Sequence, residues 1–200
     1  SPFRGIWWWH HMSGLFFGLL TLTWVTSGLF TMAPWGFLDS TAGLAERERL
    51  AGSPVSWGEV SQAVAQLGTL PPGTVRLETA PLAGRLYLAA IGRDGSRVRL
   101  GPAGQPAALS REELEEALAN GPQVTSLELL SEEDSYYYSH KLPAPLPVWR
   151  AILADGEQMR LYIDPVSGRL LRAFDSDARA SRWLRNGLHS LDFAILRQRP

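Results

Sequence analysis

His10 and His11 are the residues whose type and place could do chemistry. They lie in GIWWWHHMSGLFFGLLTLTWVTSGLFTMAPWGFL, residues 5–38, where no side chain between Arg4 and Asp39 carries a charge apart from a proton on either imidazole. Neutral imidazole is the commonest metal ligand. Small residues beside it, Gly14 and Gly18, leave room for a flat macrocycle, so one chemistry open to the pair is metal or haem ligation. An ionisable residue in an apolar span is a functional-site hypothesis by default. The plainer role is interfacial, with both rings hydrogen-bonded to headgroups or water. Adjacent residues point about 100° apart on an α-helix, so at most one of the two faces a given site. His11 shares a stripe with Gly14, Gly18 and Leu22, and His10 with Gly14, Phe17, Thr21 and Trp24. Spacing does not choose between them.

The element that must position them is the apolar run itself. A transmembrane helix needs roughly 20 apolar residues, and this run exceeds that. It is too long and too aromatic for a signal peptide, and no small-residue cleavage site closes it. Trp7, Trp8 and Trp9 at one end and Trp35 at the other mark the headgroup layers, which brackets a span over about 12–33. Pro34 and Gly36 then end the helix. Gly14 and Gly18 form a GxxxG pair, and Thr21, Val25 and Gly28 continue the seam. Small residues let a second helix approach closely, so partner helices are expected from another chain or from sequence beyond this one.

Two hundred residues, 45% of them hydrophobic, allow one span plus a globular part of one domain or two small ones. A net charge of −1 argues against nucleic acid as a partner. With no cysteine there is neither a disulfide framework nor a thiolate metal site. The first residue is not Met, and Pro200 follows an arginine cluster with no closing element. The chain is therefore expected to be a piece of a longer protein.

Beyond the span, the polar, Gly/Ala-rich residues 39–55 read as a linker. Ser56-Trp57-Gly58-Glu59 is a capping box opening a helix with Val60, Val64 and Leu67 on one face. Strand-like runs follow at 75–78, 85–91 and 97–100, with Asp94-Gly95 as a hairpin turn. Ser110-Arg111-Glu112-Glu113 is a second capping box, starting a helix with Leu114, Ala117 and Leu118 inward. Its acidic run, 112–116, suits a solvated first turn at the positive end of the helix dipole. Strand-like 124–130, 147–153 and 158–163 come next, the last two joined at Asp155-Gly156. Residues 94–104 line up with 155–168: each is a hairpin whose return strand runs into a Pro/Gly turn. The expected fold class is α+β and membrane-anchored, with two units of about 60 residues, each a helix on a small antiparallel sheet. The expected boundaries are 1–38 for the transmembrane helix, 39–55 for the linker, 56–121 and 122–177 for the modules, and 178–200 for an amphipathic helix before a second span that is missing.

These residues resemble a family. LYIDPVSGRLL (161–171) is similar to the strand–turn–strand signature of PepSY domains, small helix-plus-sheet modules found outside bacterial membranes. WWWHHMSGLFFG and TWVTSGLFTMAPWG resemble the first membrane helix of PepSY-associated transmembrane proteins. YYYSHKLPAPLPVWR (136–150) and RWLRNGLHSLDF (182–193) resemble two further stretches of that family, the last of which leads into a second membrane helix. Four motifs in order cover nearly the whole chain. The resemblance implies the N-terminal part of a bacterial inner-membrane protein with several spans, its N-terminus cytoplasmic and its PepSY modules periplasmic. Arg4 before the span and Asp39 after it agree with that orientation, while Arg197 and Arg199 run against it. Relatives often carry two histidines after the tyrosine run; here His140 is followed by Lys141, so the second is missing.

Some members of the family are linked to iron acquisition and resemble membrane-bound reductases of ferric siderophores, with b-type haem held by histidines at the ends of membrane helices. Carried over by position, the candidate axial ligands are His10, His11 and His189, and the implied cofactor is haem b. A span of ~25 residues is ~37 Å long, so ligands at its two faces fit two haems stacked across a bilayer. They would relay electrons from a cytoplasmic donor to a periplasmic ferric chelate. Without its partner helices this piece would not be an active reductase.

Read instead as an ordinary α-helix, 180–193 place Trp183, Leu184, Gly187, Leu188 and Leu191 on one apolar face. His189 then falls beside Arg185 and Asp192 on a polar face, as on an interfacial helix with its arginines near headgroups and its histidine solvated. His140 reads as a loop residue, and Asp164 as a turn cap before Pro165. No Ser/His/Asp set, paired-carboxylate site or phosphate-binding Gly loop stands out. Two other functions stay open. One is a sensory or protease-regulating PepSY module anchored in the membrane without redox activity. The other is a scaffold docking its small-residue helix face on a partner.

Overall fold

A computed structural model of the chain describes residues 4–32, 36, 38–139 and 142–193. Pro34, Trp35, His140, Lys141 and residues 194–200 lie outside the described residues. The chain divides into two compact units, one formed by Ser1–Ser40 with Ser176–Pro200 and the other by Thr41–Asp175.

The first unit is built on α1, Ile6–Thr31, a 26-residue helix. Its apolar residues run round every side, the pattern of a membrane span rather than of a surface helix with one buried stripe. It is long and apolar enough to cross a membrane. The helix starts six residues earlier than the bracketed span, so Trp7, Trp8, Trp9, His10 and His11 are all helical. Ser27 is its one buried residue. At the far end of the chain, α5 (Ser176–Ser181) runs into a π-helix, Arg182–His189.

The second unit holds two antiparallel meanders. Strands β1 (Thr74–Thr79), β2 (Leu88–Gly92) and β3 (Arg97–Leu100) form one sheet. Strands β4 (Val124–Leu130), β5 (Val148–Leu153), β6 (Arg160–Ile163) and β7 (Leu170–Phe174) form the other. The turns follow the residues expected to make them. Asp94 Oδ1 accepts from the Ser96 amide at 3.0 Å, with Gly95 at φ +84° between β2 and β3. Asp155 Oδ1 accepts from the Met159 amide at 2.8 Å between β5 and β6.

Both capping boxes form. They open α3 (Trp57–Ala65) at Ser56 and α4 (Arg111–Leu118) at Ser110, each with the Ser and Glu reciprocally bonded. Ala63 and Leu67 from the α3 region pack on Leu88, Ala90 and Leu100 of the first sheet. Helix α4 buries Leu114, Ala117 and Leu118 with Leu127, Ala151, Leu161 and Ile163 of the second sheet. Helix α4, which the expected boundary between 121 and 122 groups with the first sheet, thus buries its apolar face on the second. A helix and the strand after it pair most readily when a short connection such as 119–123 joins them.

Residues 39–55 also differ from expectation. They hold α2, Leu44–Ala51, whose Leu50 is 1% exposed in the core of the second sheet. The Ala-Glu-Arg-Glu-Arg-Leu-Ala run is a good helix former, and one deeply buried leucine is enough to dock it. Gly52 closes α2 at φ +70°, where the Gly84 backbone leaves no room for a Cβ. Leu82, between β1 and β2, lies in the same core, so the two sheets share apolar packing.

Candidate functional site

Four hydroxyls on α1 satisfy themselves along the helix. Thr21 donates to the Phe17 carbonyl at 2.8 Å, Thr23 to Leu20 at 2.9 Å, Ser27 to Trp24 at 3.0 Å and Thr31 to Ser27 at 3.1 Å. Such back-bonding removes the cost of a bare hydroxyl in apolar surroundings. Ser27, 1% exposed, also receives His189.

The π-helix carries that histidine. Arg182 at its start is 4% exposed; its Nη2 donates to the Asp192 carbonyl at 2.8 Å and stands 3.5 Å from the Asp192 carboxylate. This pair ties together the two ends of the π-helical segment. Gly187 is buried, and a Cβ there would meet the Trp183 ring at 3.3 Å. Arg185 Nε donates to the Phe30 carbonyl at 3.1 Å, capping the C-terminal end of α1, where the last carbonyls lack helical partners. The face expected to be apolar is split. Trp183, Leu188 and Leu191 are exposed, while Arg182, Gly187 and Asp192 are buried. An i→i+5 winding turns each successive residue by less than the α-helix does, so faces counted at 3.6 residues per turn do not hold.

His189 is consequently not solvated on a polar face. Its ring stacks on Trp24, with centroids 5.3 Å apart and planes 8° from parallel. Nδ1 lies 3.3 Å from the Ser27 hydroxyl and 3.3 Å from the Trp24 carbonyl. A carbonyl can only accept, so the 3.3 Å approach to Trp24 favours the tautomer with its proton on Nδ1, and the Ser27 hydroxyl, donating to that same carbonyl, then serves as the second acceptor. In that tautomer the lone pair is left on Nε2. Gly28 completes the seat: a Cβ there would stand 3.3 Å from Cε1 of the ring. Beside the ring runs a groove of about 360 Å³ lined by Leu20, Thr21, Thr23, Trp24, Leu188, His189, Ser190 and Leu191.

His10 and His11 are exposed near the other end of α1, with the His10 ring edge-on to Trp7 at 6.5 Å. At 1.5 Å per residue, His10 lies about 21 Å along the axis from Trp24. The structure does not bring the three candidate ligands together. It puts one beside the last two turns of α1 and two in its first turns. Among the described residues no group of three or more His, Asp or Glu side chains could hold a metal ion. Comparisons with protein-family models, with curated proteins and with solved structures return no match.

Sequence reasoning missed Ser27 and Trp24 as partners of His189, since nothing local marks one hydroxyl among the six on α1. It also missed Asp134. Asp134 Oδ1 accepts from the Tyr136 and Tyr137 amides at 2.8 and 2.7 Å, and Oδ2 from the Tyr162 hydroxyl at 2.7 Å and Arg150 at 3.0 Å. Burial opposes ionisation of Asp134, but those bonds outweigh it and hold its carboxyl below the ordinary value. Burial, with the bond to Asp134, pushes the Tyr162 hydroxyl well up. The tyrosine run thus serves packing: Tyr137 stacks on Tyr162 at 5.1 Å and donates to the Pro145 carbonyl at 2.9 Å. A carboxylate this fully occupied organises a core and has no lone pair to spare for proton transfer.

Proposed function

We propose that the chain belongs to a PepSY-domain protein of a bacterial inner membrane that moves electrons through b-type haem to a periplasmic ferric chelate of the siderophore type. The observation that carries this reading is the seat of His189. A ligating histidine characteristically gives its other ring N–H to a carbonyl or similar acceptor, which fixes the tautomer and the ring plane. In its Nδ1–H tautomer His189 does so, which leaves Nε2 as the atom that would ligate. Helix α1 supplies the span, and the groove beside His189 offers an apolar flank.

In this reading His189 would hold one haem through Nε2, and His10 or His11 would hold another from the opposite end of α1. When bound, haem supplies one-electron transfer at a potential set by axial ligand, hydrogen bonding and burial. The chain's own part is to hold a proton at Nδ1, present the Nε2 lone pair and keep water from the apolar flank. The siderophore class rests on the four sequence stretches that resemble the family. A regulatory reading, in which residues 41–175 bind a partner without redox chemistry, is favoured by one observation. The partly buried Asp134 and the buried Asp164 are both engaged in structural bonds.

An absorption spectrum of the full-length protein in mild detergent, before and after dithionite, tests the proposal. A Soret band with a sharp α band on reduction is expected, and His189→Ala should lose one haem's share of it. A featureless spectrum from well-folded protein made in haem-replete cells would sink the electron-transfer reading and leave the regulatory one.

A further inference from the structure

We infer that Ser27 is a positioning residue for His189, locking the imidazole as its Nδ1–H tautomer against the Trp24–Gly28 face of α1. Its consequence for electron transfer rests on the haem reading above; its effect on the ring does not. Helix α1 has one buried side chain in 26 residues, and that side chain is a hydroxyl in contact with His189. An apolar residue would fill the same space, so burial alone does not explain a serine there. What the hydroxyl adds is direction. With its proton on the Trp24 carbonyl at 3.0 Å, its oxygen accepts from the ring alongside that carbonyl. Were the ring to carry its proton on Nε2, Nδ1 would present a lone pair to the Trp24 carbonyl 3.3 Å away, and the Ser27 hydroxyl would have to turn its proton from that carbonyl to the ring. That repulsive arrangement selects the Nδ1–H form.

Geometry adds to the selection. Trp24 fixes the ring plane by stacking, and Gly28 fixes how closely the ring approaches. The three residues occupy positions i, i+3 and i+4 on one helix face, so α1 offers a seat of defined shape rather than a chance contact. Hydrogen bonds to Nδ1–H raise the basicity of Nε2. A stronger donor favours the oxidised iron, so Ser27 lowers the potential of whichever haem His189 holds.

The test uses the full-length protein labelled with ¹⁵N-histidine in detergent, as wild type, Ser27→Ala, Ser27→Thr and Gly28→Ala. Two-bond ¹H–¹⁵N spectra of the haem-free protein read the His189 tautomer, and a dithionite titration of the haem-loaded protein reads the potential. Wild type and Ser27→Thr should show the Nδ1–H form. Ser27→Ala should show a mixture and a higher potential with haem retained. Gly28→Ala, which keeps the hydroxyl but crowds Cε1, should displace the ring and give the same direction of change. An unchanged tautomer and potential in both Ser27→Ala and Gly28→Ala overturn the inference, even if His189→Ala loses haem. A wild type that binds no haem overturns the electron-transfer reading alone, and the tautomer then decides the role of Ser27.

Discussion

Asp164 shows how one carboxylate can do several structural tasks at a turn. It accepts from the Ser167 hydroxyl at 2.5 Å, from the Ser167 and Val166 amides at 3.2 and 3.3 Å, and from Arg97 of β3 at 2.9 Å. The turn-capping role follows from an Asp-Pro step in the sequence. The tie to Arg97 does not, because it joins one sheet to the turn after β6 in the other. Burial raises the cost of the charge, but the Ser167 hydroxyl and the Arg97 guanidinium more than offset it and hold the carboxyl below its ordinary value. A carboxyl depressed by folding stabilises the folded state above its unfolded pKa, and that contribution is lost as pH falls through the folded pKa. Asp164→Asn should therefore cost about 1–3 kcal/mol at neutral pH, with the upper end discounted because Arg97 is partly exposed. In urea melts of wild type and variant, the gap should close in acid as the wild-type carboxyl protonates. A gap that persists undiminished through acid would show that the charge contributes nothing.

At the scale of elements, the two capping boxes read alike in sequence and differ in what they hold. Glu59 closes its box at an exposed helix start, bonded to Ser56. Glu113 closes the α4 box and also takes both Arg99 nitrogens at 3.1 Å, while Arg99, 3% exposed, lies 3.7 Å over the Tyr87 ring. Glu113→Ala strands a buried guanidinium and should cost about 3 kcal/mol, against a small loss for Glu59→Ala; equal midpoints in parallel denaturant melts would refute this. Local signals in the sequence placed both boxes, the Asp94-Gly95 hairpin and most strands, since each depends on residues a few positions apart. Helix α2 was hidden because its packing depends on one leucine, Leu50, in a polar run. The sheet on which α4 packs was hidden because adjacency in the chain, rather than pattern, decides it. The histidines themselves were legible, but the seat of His189 was not. It depends on a π-helix that breaks the 3.6-residue count and on Ser27, far away in the chain.

For the whole molecule, the balance of apolar surface sets what can stand alone. Helix α1 exposes Leu15, Phe16, Phe17, Leu19, Leu22 and Trp24 and buries one serine, so in water it would carry a large unsatisfied apolar area. The three apolar cores, by contrast, all draw on residues 50–174. So do the ion pairs Arg97–Asp164, Arg99–Glu113 and Arg150–Asp134. Residues 41–175 should then fold as a soluble domain when expressed without the rest. Its unfolding should be cooperative across both sheets, although their meander topologies are separate. Leu82 leaves the first sheet to pack in the core of the second, Leu50 of α2 lies in that core, and the Ala83 amide donates to the Leu50 carbonyl at 2.7 Å. Removing either sheet would strip these contacts from the other, so neither has a free-standing state to populate. Urea unfolding followed by Trp57 and Trp149 fluorescence and by far-ultraviolet circular dichroism should give one coincident transition. Two separated transitions would mean that the shared leucines and the Arg97–Asp164 pair do not couple the sheets. Aggregation of the excised domain would mean that its exposed apolar residues, Trp57 at 81% exposure among them, require the rest of the protein.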